Sequence, residues 1–201
     1  MLNLHLNQFL DLIDNSKKVR YLVRFRPIIS EELSLKVITA IDVTESYVQW
    51  LNDSQINRFL QVRFNNVDLK SQQEYVTKIY NSEDTCLFGI YTKDRKLIGT
   101  IKIGPIDFNN RSGEIGIMIG EQKAWGKGYA SKSIGMLCEA FFTEGILSKV
   151  TAGVSERNIG SMKAFEKNGF LIEGFLENQC VDAESGPHKV FRYGKTARTP
   201  K

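Results

Sequence analysis

The chain has 201 residues with 42% apolar content, which is the size of a single domain able to bury a core. Its apolar runs are too short to span a membrane and its first residues lack the continuous apolar region of a signal peptide, so we expect a cytoplasmic protein without a membrane span. The net charge of +4 is modest, and its lysines and arginines are spread along the chain, which argues against nucleic-acid binding.

Residues 1–32 are predicted to form an amino-terminal extension. Apolar residues spaced three and four apart predict a short amphipathic helix at residues 2–13, and residues 20–26 alternate like an edge strand until Pro27. The extension would pack on the domain, contact a second copy in a homodimer or lie on a membrane surface. Asp11 and Asp14 disfavour the membrane alternative.

A strand and three helices are predicted before residue 82. The strand covers residues 33–39. Asp42 and Glu45 form a possible capping box for the first helix, and Asp53 is a possible cap for the second. Ser71 and Glu74 form a possible capping box for the third helix, which runs to about residue 81.

The remaining elements predict a mostly antiparallel sheet with flanking helices. Strands are expected at residues 86–92, 97–106, 114–119, 150–154, 170–175 and 190–193, and helices at residues 130–144 and 159–168. Short links between the first three strands favour antiparallel pairing. The order predicts one α+β domain at residues 33–195, followed by a tail at residues 196–201.

The strand at residues 114–119 leads through a glycine loop into a helix, and this arrangement predicts an anion site. The first turn of a helix has backbone N–H groups without partners, and the helix dipole adds partial positive charge there. Gly126 and Gly128 remove side chains from the approach, while Lys123 and Lys127 add positive charge. We therefore expect a diphosphate-bearing cofactor. The glycine patterns of dinucleotide-binding folds and of P-loops are absent from the sequence.

No metal site is expected, because the three cysteines lack metal-ligand spacing. Cys86, Cys138 and Cys180 are predicted to be free thiols.

Two stretches resemble the signatures of the GNAT superfamily of N-acetyltransferases. Residues 123–128, KAWGKG, resemble motif A, [QR]-x-x-G-x-[GA], with Lys123 in place of Gln or Arg. Residues 158–170 resemble the second signature, N-x-x-[SA]-x-x-x-[YF]-E-K-x-G-F. The resemblance implies an N-acetyltransferase that uses acetyl-CoA. It also implies that the strands at residues 114–119 and 150–154 run parallel and splay apart, so that the gap admits the pantetheine arm.

The same resemblance implies the residues of the donor site and of catalysis. Glu114 is a candidate base, directly or through water, although the corresponding glutamate also has a structural role in some members. The usual tyrosine acid is replaced by Phe165, so Ser161, water or departure of CoA as thiolate must serve instead. Asn158 would contact pantetheine, cap the following helix, or both. The implied acetyl-CoA contacts are Ile117, Met118, Ile119, Lys123, Ala124, Trp125, Gly126, Lys127, Gly128, Tyr129, Ala130, Asn158, Ser161 and Phe165.

The acceptor amine is predicted from a looser resemblance. Residues 47–64 are similar to GNAT members that acetylate nucleotide-linked amino sugars, which implies that Trp50, Arg58 and Arg63 bind substrate. Alternatively, Trp50 is a core residue and Arg63 a solvated charge. A protein N-terminus is the competing acceptor. A module that binds CoA without catalysis is the third possibility, because the tyrosine is missing.

Overall fold

The computed structural model describes residues 26–182 and 186–197, without the side chain of Asp182. The predicted amino-terminal helix and nearly all of the predicted edge strand lie outside the described residues, so the homodimer contact proposed for them stays a prediction. Among the described helices, none combines the length and the apolar character needed to cross a membrane.

Eight strands in the described ranges form one sheet in the order β1-β2-β3-β4-β5-β6-β8-β7. Neighbouring strands are antiparallel except for the parallel pair β5 and β6. The strands are β1 (Ile28–Ile29), β2 (Leu33–Val37), β3 (Cys86–Thr92), β4 (Leu97–Asp107), β5 (Ser112–Ile119), β6 (Lys149–Ser155), β7 (Leu171–Asp182) and β8 (Gly186–Thr196). The predicted mixed, mostly antiparallel α+β fold is confirmed.

Helices cover both faces of this sheet. They are α1 (Glu45–Asn52), α2 (Ser54–Asn57), α3 (Leu69–Tyr80), α4 (Tyr129–Thr143) and α5 (Ile159–Glu166), with 3-10 turns at Ala40–Asp42, Gln61–Phe64 and Gln122–Ala124. Side chains of β5 alternate between two apolar clusters, because successive residues of a strand point to opposite faces. Ile115 packs in the cluster that contains Ile134 of α4, whereas Met118 packs in the cluster that contains Val76 of α3.

Two of the predicted helix starts are wrong by a few residues. α1 is capped by the side chain of Thr44 rather than Asp42, and α3 is capped by Asp68 rather than Ser71. In α3, Ser71 is the third helical residue and accepts a hydrogen bond from the backbone N–H of Asp68, which completes a reciprocal capping box. The predicted cap at Asp53 is confirmed.

The last hairpin is much longer than the sequence predicted. β7 and β8 pair from Leu171 with Gly194 to Asp182 with Gly186, whereas the alternation had indicated only residues 170–175 and 190–193. The register of β7 shifts between Leu176 and Cys180, and Asn178 there has a φ of +52°. Such a bulge breaks the two-residue period on which strand prediction relies.

The parallel strands β5 and β6 separate soon after they meet. Their pairing covers Ser112, Gly113 and Glu114 opposite Lys149, Val150 and Thr151. Beyond Glu114, β5 continues to pair with β4, while β6 continues to pair with β8. The edge of β5 that faces β6 is therefore open from residue 115 to residue 119, and the predicted splay is confirmed.

Candidate active site

A cleft of about 990 Å³ lies at the opening between β5 and β6. Gly116, Ile117 and Met118 line it from β5, and Gly153, Val154 and Ser155 line it from β6. These residues include side chains from both faces of the sheet, because neighbours along a strand point in opposite directions. The cleft therefore passes into the gap in the sheet instead of lying on one face.

Five of the predicted acetyl-CoA contacts line this cleft, and three of them belong to the segment of α5. Asn158 accepts a hydrogen bond from the backbone N–H of Ser161 at 3.1 Å, so it caps α5 and also faces the cleft. Phe165 is 2% exposed, and its ring packs edge-on against Phe170 at 5.0 Å between centroids. The lining members of the predicted set are Ile117, Met118, Asn158, Ser161 and Phe165.

Ile119 and the loop at residues 123–130 lie outside the cleft lining, at the end of β5. Gly126 and Gly128 have φ values of +74° and +79°, which favour glycine. A Cβ built on either glycine would meet no atom within 4 Å, so the space beside the loop is open. Gly128 also precedes α4 without a side-chain cap, which leaves the first N–H groups of that helix available to an anion.

The side chains of the loop divide between packing and solvent. Trp125 donates its indole N–H to the carbonyl of Ile119 at 2.8 Å, which fixes the loop against the end of β5. Lys123 and Lys127 are exposed beside the glycines. Ala124 is buried, and Tyr129 and Ala130 pack against the core.

Glu114 forms a forked ion pair with Arg192 across the intervening strand β6. The two nitrogens of the guanidinium group donate to the two carboxylate oxygens at 3.3 Å and 2.8 Å. Both side chains line the cleft, and they are 45% and 35% exposed. Gly153 lies between them, and a Cβ there would be 2.9 Å from the guanidinium. The glycine therefore provides the room in which the pair forms.

The predicted acceptor residues separate into two groups. Arg58 and Arg63 line the cleft, whereas Trp50 is absent from its lining. Trp50 lies so close to Gly120 that a Cβ on the glycine would be 2.1 Å from the indole. Its ring also packs edge-on against Tyr47, with the centroids 5.8 Å apart.

Arg63 connects the 3-10 turn before α3 with the far end of β7. It donates to the carbonyl of Leu60 at 2.7 Å and to the carbonyl of Val181 at 3.0 Å. Its Nε is buried and has no hydrogen-bond partner among the described residues. Its guanidinium lies 4.1 Å from the ring centroid of Phe64.

Several polar residues of the cleft were not predicted from the sequence. Tyr47, Gln72 and Thr100 are buried in its wall, and Gln72 donates to the hydroxyl of Tyr47 at 3.4 Å. Burial is the main cause that raises the pKa of Tyr47 to about 12, so this hydroxyl is protonated at neutral pH. Gln72 lies one turn before the buried Val76, and that spacing was the signal that could have revealed it.

His188 was also missed, although it shares one face of β8 with two other cleft residues. His188, Val190 and Arg192 are two residues apart and all line the cleft. The imidazole is 4% exposed, and its Nδ1 lies 3.3 Å from the carbonyl oxygen of Gly186. The alternation was visible in the sequence, but the predicted strand began after His188.

The charged residues of the cleft are mainly basic. Among the described lining residues, the charged side chains are Arg58, Arg63, Lys102 and Arg192 with Glu114 as the acid. Within residues 26–182 and 186–197, no cluster of His, Cys, Asp and Glu side chains could hold a metal ion. The cleft therefore carries a positive charge and favours an anionic ligand.

This chain is similar to known acetyltransferases. A family model described as an acetyltransferase (GNAT) domain matches residues 32–171. The uncharacterized N-acetyltransferase p20 of Bacillus licheniformis is 26% identical over 152 residues, which are 74% of this chain and 84% of that protein.

Two solved structures have a similar fold. Spermidine N-acetyltransferase from Vibrio cholerae, in complex with CoA and spermine, has a TM-score of 0.74 at 22% identity, covering 84% of this chain and 97% of the other. The ribosomal L7/L12 alpha-N-protein acetyltransferase RimL, in complex with CoA, has a TM-score of 0.75 at 16% identity, covering 85% and 98%. At these identities the likeness concerns the fold alone.

Proposed function

The chain belongs to the GNAT family of acetyltransferases, and we propose that it transfers the acetyl group of acetyl-CoA to the primary amine of an anionic small molecule. The observation that carries this proposal is the cleft at the open edge of β5, next to a glycine loop with free space beside it. An extended amide-containing arm can pair with an open strand edge, as an added strand would. The loop and the uncapped start of α4 suit a diphosphate.

In this proposal each part of the donor has its own group of residues. The diphosphate lies against residues 123–130, with Gly126 and Gly128 giving access and Lys123 and Lys127 giving charge. The pantetheine arm follows residues 117–119 on one side, and Asn158 and Ser161 on the other. The ring of Phe165 contributes an apolar wall. It does not act as the acid, since it has no proton to donate.

Acetyl transfer requires a neutral amine held close to the thioester. Glu114 was predicted as a candidate base, with a structural role as the alternative. Its two oxygens both accept hydrogen bonds from Arg192, which supports the structural alternative. We propose that the pair orients Arg192 in the cleft and holds β5 and β8 together across β6.

The charge of the cleft supports an acceptor with phosphate groups, such as a nucleotide-linked amino sugar. Arg58, Arg63 and Lys102 line the cleft in addition to the paired Arg192. Arginine donates in a planar fork that matches phosphate oxygens. A polyamine would bring further positive charge to this wall, which like-charge repulsion disfavours.

A protein N-terminus is the second candidate acceptor. Phe64 and Tyr75 are exposed aromatic residues at or beside the cleft, and such residues suit contacts with a peptide. A peptide without phosphate would make less use of the arginines.

The proposal is tested by measuring CoA release and the mass of the product with four classes of amine. The panel is UDP-glucosamine, glucosamine 6-phosphate, spermidine and short peptides with an N-terminal alanine or serine. We expect the phosphate-bearing sugars to give the highest kcat/KM. Turnover of peptides with no turnover of either sugar would reverse the order of the two candidates. Tight CoA binding without turnover of any amine would instead indicate a binding module.

A further inference from the structure

His188 lies on the wall of the cleft near the open part of the splay. Val190, two residues further along β8, pairs with Ser155 of β6, which lines the cleft opposite β5. His188 and Ser155 are therefore diagonal neighbours on one face of the sheet, with backbones roughly 7–8 Å apart. This register places His188 on the same face of β8 as the cleft residues Val190 and Arg192.

The contact of Nδ1 with the carbonyl oxygen of Gly186 at 3.3 Å favours one tautomer of His188. A carbonyl oxygen can only accept, so a hydrogen bond at this contact places a proton on Nδ1. In the neutral ring, Nε2 then carries a lone pair. Among the residues that the structure describes, no hydrogen bond to Nε2 is observed, and the side chain lines the cleft. In this tautomer Nε2 is the ring nitrogen that can accept a proton.

Glu114, Phe165 and Tyr193 are poorly arranged to accept a proton from the acceptor. Both oxygens of Glu114 are bonded to Arg192, and Phe165 has no titratable group. The hydroxyl of Tyr193 donates to Glu166 at 2.9 Å, and Tyr193 is absent from the cleft lining. His188 is the buried titratable group in the cleft whose acceptor nitrogen has no partner in the described structure.

We propose that His188 is a catalytic residue that removes the proton from the acceptor ammonium group, directly or through one water. This inference rests on the proposed acetyltransferase function. The proton moves from the ammonium to Nε2, and the freed lone pair of the amine forms a C–N bond with the thioester carbon. The C–S bond then breaks, and its electron pair goes to sulfur. The second proton of the nitrogen ends on the CoA sulfur, and the imidazolium returns its proton to water.

The first test is independent of turnover. Nitrogen-15 NMR of histidine-labelled protein should show the Nδ1-protonated tautomer of the neutral ring, and His188→Asn should identify the signal by its loss. A neutral ring protonated on Nε2 would overturn the proposal, because that nitrogen could not accept a proton. His5→Asn is the matched control, since His5 is the other histidine of the chain and lies outside the described residues.

The second test uses the panel amine that the wild type turns over fastest. His188→Asn retains an amide donor near the position of Nδ1 but removes the lone pair of Nε2. We expect kcat to fall by a factor on the order of 10² or more at neutral pH, with the KM for acetyl-CoA unchanged. The loss should shrink as pH rises, because the amine then loses its proton to solvent. His5→Asn should behave as the wild type.

The surroundings of His188 bear on the pH profile. The titratable or charged groups that the fold brings next to it are Cys180 across the strand pair, Lys189, Glu156 bonded to the backbone of Lys189, Arg63 bonded to the backbone of Val181, and Arg192 further along the same face. The pH profile of kcat for Cys180→Ser therefore shows whether the Cys180 thiol contributes to the pH dependence.

If His188→Asn fails to fold, His188→Ala assayed with added imidazole replaces it, and rescue of kcat is expected. A folded His188→Asn or His188→Ala variant with wild-type kcat and pH profile would overturn the proposal while leaving acetyl transfer intact. A wild type that binds CoA but acetylates no amine would overturn the proposed function itself.

Discussion

Glu114 is bonded to Arg192, and this contact determines what its substitution should do. In Glu114→Gln the neutral amide can no longer hold both guanidinium nitrogens of Arg192 as a charged fork. A half-exposed ion pair contributes up to about 1 kcal/mol, so we expect the melting temperature to fall by roughly 2–4 °C. We also expect kcat to fall by less than about tenfold, equally at all pH values, because proton removal is not affected.

The matched control for this variant is Glu173→Gln, which breaks the pair with Lys149 at 2.8 Å in another part of the sheet. It should change the melting temperature by a similar amount and leave kcat unchanged. If Glu114→Gln instead lowers kcat about a hundredfold or more, with an unchanged melting temperature, Glu114 is the base.

At the scale of elements, the loop between β5 and α4 should determine the affinity for CoA. Gly126→Asp adds a negative charge where we place the diphosphate, at a cost of about 1–4 kcal/mol for charges 4 Å apart. Gly126→Ala is the control, because it shares the strain of the positive φ and the added Cβ but has no charge. Calorimetry should show that the affinity of Gly126→Asp for CoA is lower than that of Gly126→Ala by about tenfold or more. Equal affinities in folded Asp and Ala variants would exclude the diphosphate from this loop.

Arg63 joins two elements that are distant in sequence, and its removal should affect the acceptor more than the donor. Arg63→Ala deletes the bonds to the carbonyls of Leu60 and Val181 and one positive charge of the cleft. In the proposed complex a hydrogen bond from this guanidinium to a phosphate oxygen contributes about 1.5–3 kcal/mol, so we expect the KM for UDP-glucosamine to rise about tenfold or more. Steady-state kinetics should give an unchanged KM for acetyl-CoA.

Arg63→Lys separates charge from geometry, because lysine keeps the charge but cannot reach both carbonyls as a planar fork. Recovery of the acceptor KM by lysine would mean that charge alone matters. An equal rise in both KM values for Arg63→Ala would contradict a role specific to the acceptor side.

The same elements explain why prediction from sequence succeeded in some places and failed in others. β3 and α4 were predicted nearly to the residue, because their apolar periodicity is regular and their ends are marked by turns. β7 was truncated because the bulge near Asn178 interrupts the alternation. The proposed acetyl-CoA residues were predicted from two local motifs, since a glycine loop and a helix cap are short-range features. The pairing of Glu114 with Arg192 joins residues 78 positions apart, and local patterns do not contain it.

At the scale of the whole molecule, folding concentrates charge that the sequence spreads out. The net charge of +4 appeared dispersed along the chain, yet four basic side chains and one acid line the cleft among the described residues. These basic residues come from the segment before α3, from β4 and from β8. Arg58 and Arg63 were predicted together from the sequence, whereas Lys102 and Arg192 were missed. The position of β8 next to β6 depends on the sheet order, which local patterns do not contain.

This concentration of charge leads to a prediction about ionic strength. With acetyl-CoA kept saturating, kcat/KM for UDP-glucosamine should fall as NaCl rises from about 0.05 to about 0.5 M, because salt screens the attraction between phosphate and cleft. For spermidine it should stay level or rise, since salt then screens repulsion, and a neutral peptide with an N-terminal alanine should respond least. Lys102→Gln should reduce the salt dependence for UDP-glucosamine by removing one of the lining charges. The measurement is steady-state kinetics at four or more salt concentrations.

A kcat/KM for spermidine that exceeds that for UDP-glucosamine at low salt, and falls as salt is added, would mean that the cleft is effectively acidic. The anionic acceptor would then have to be abandoned.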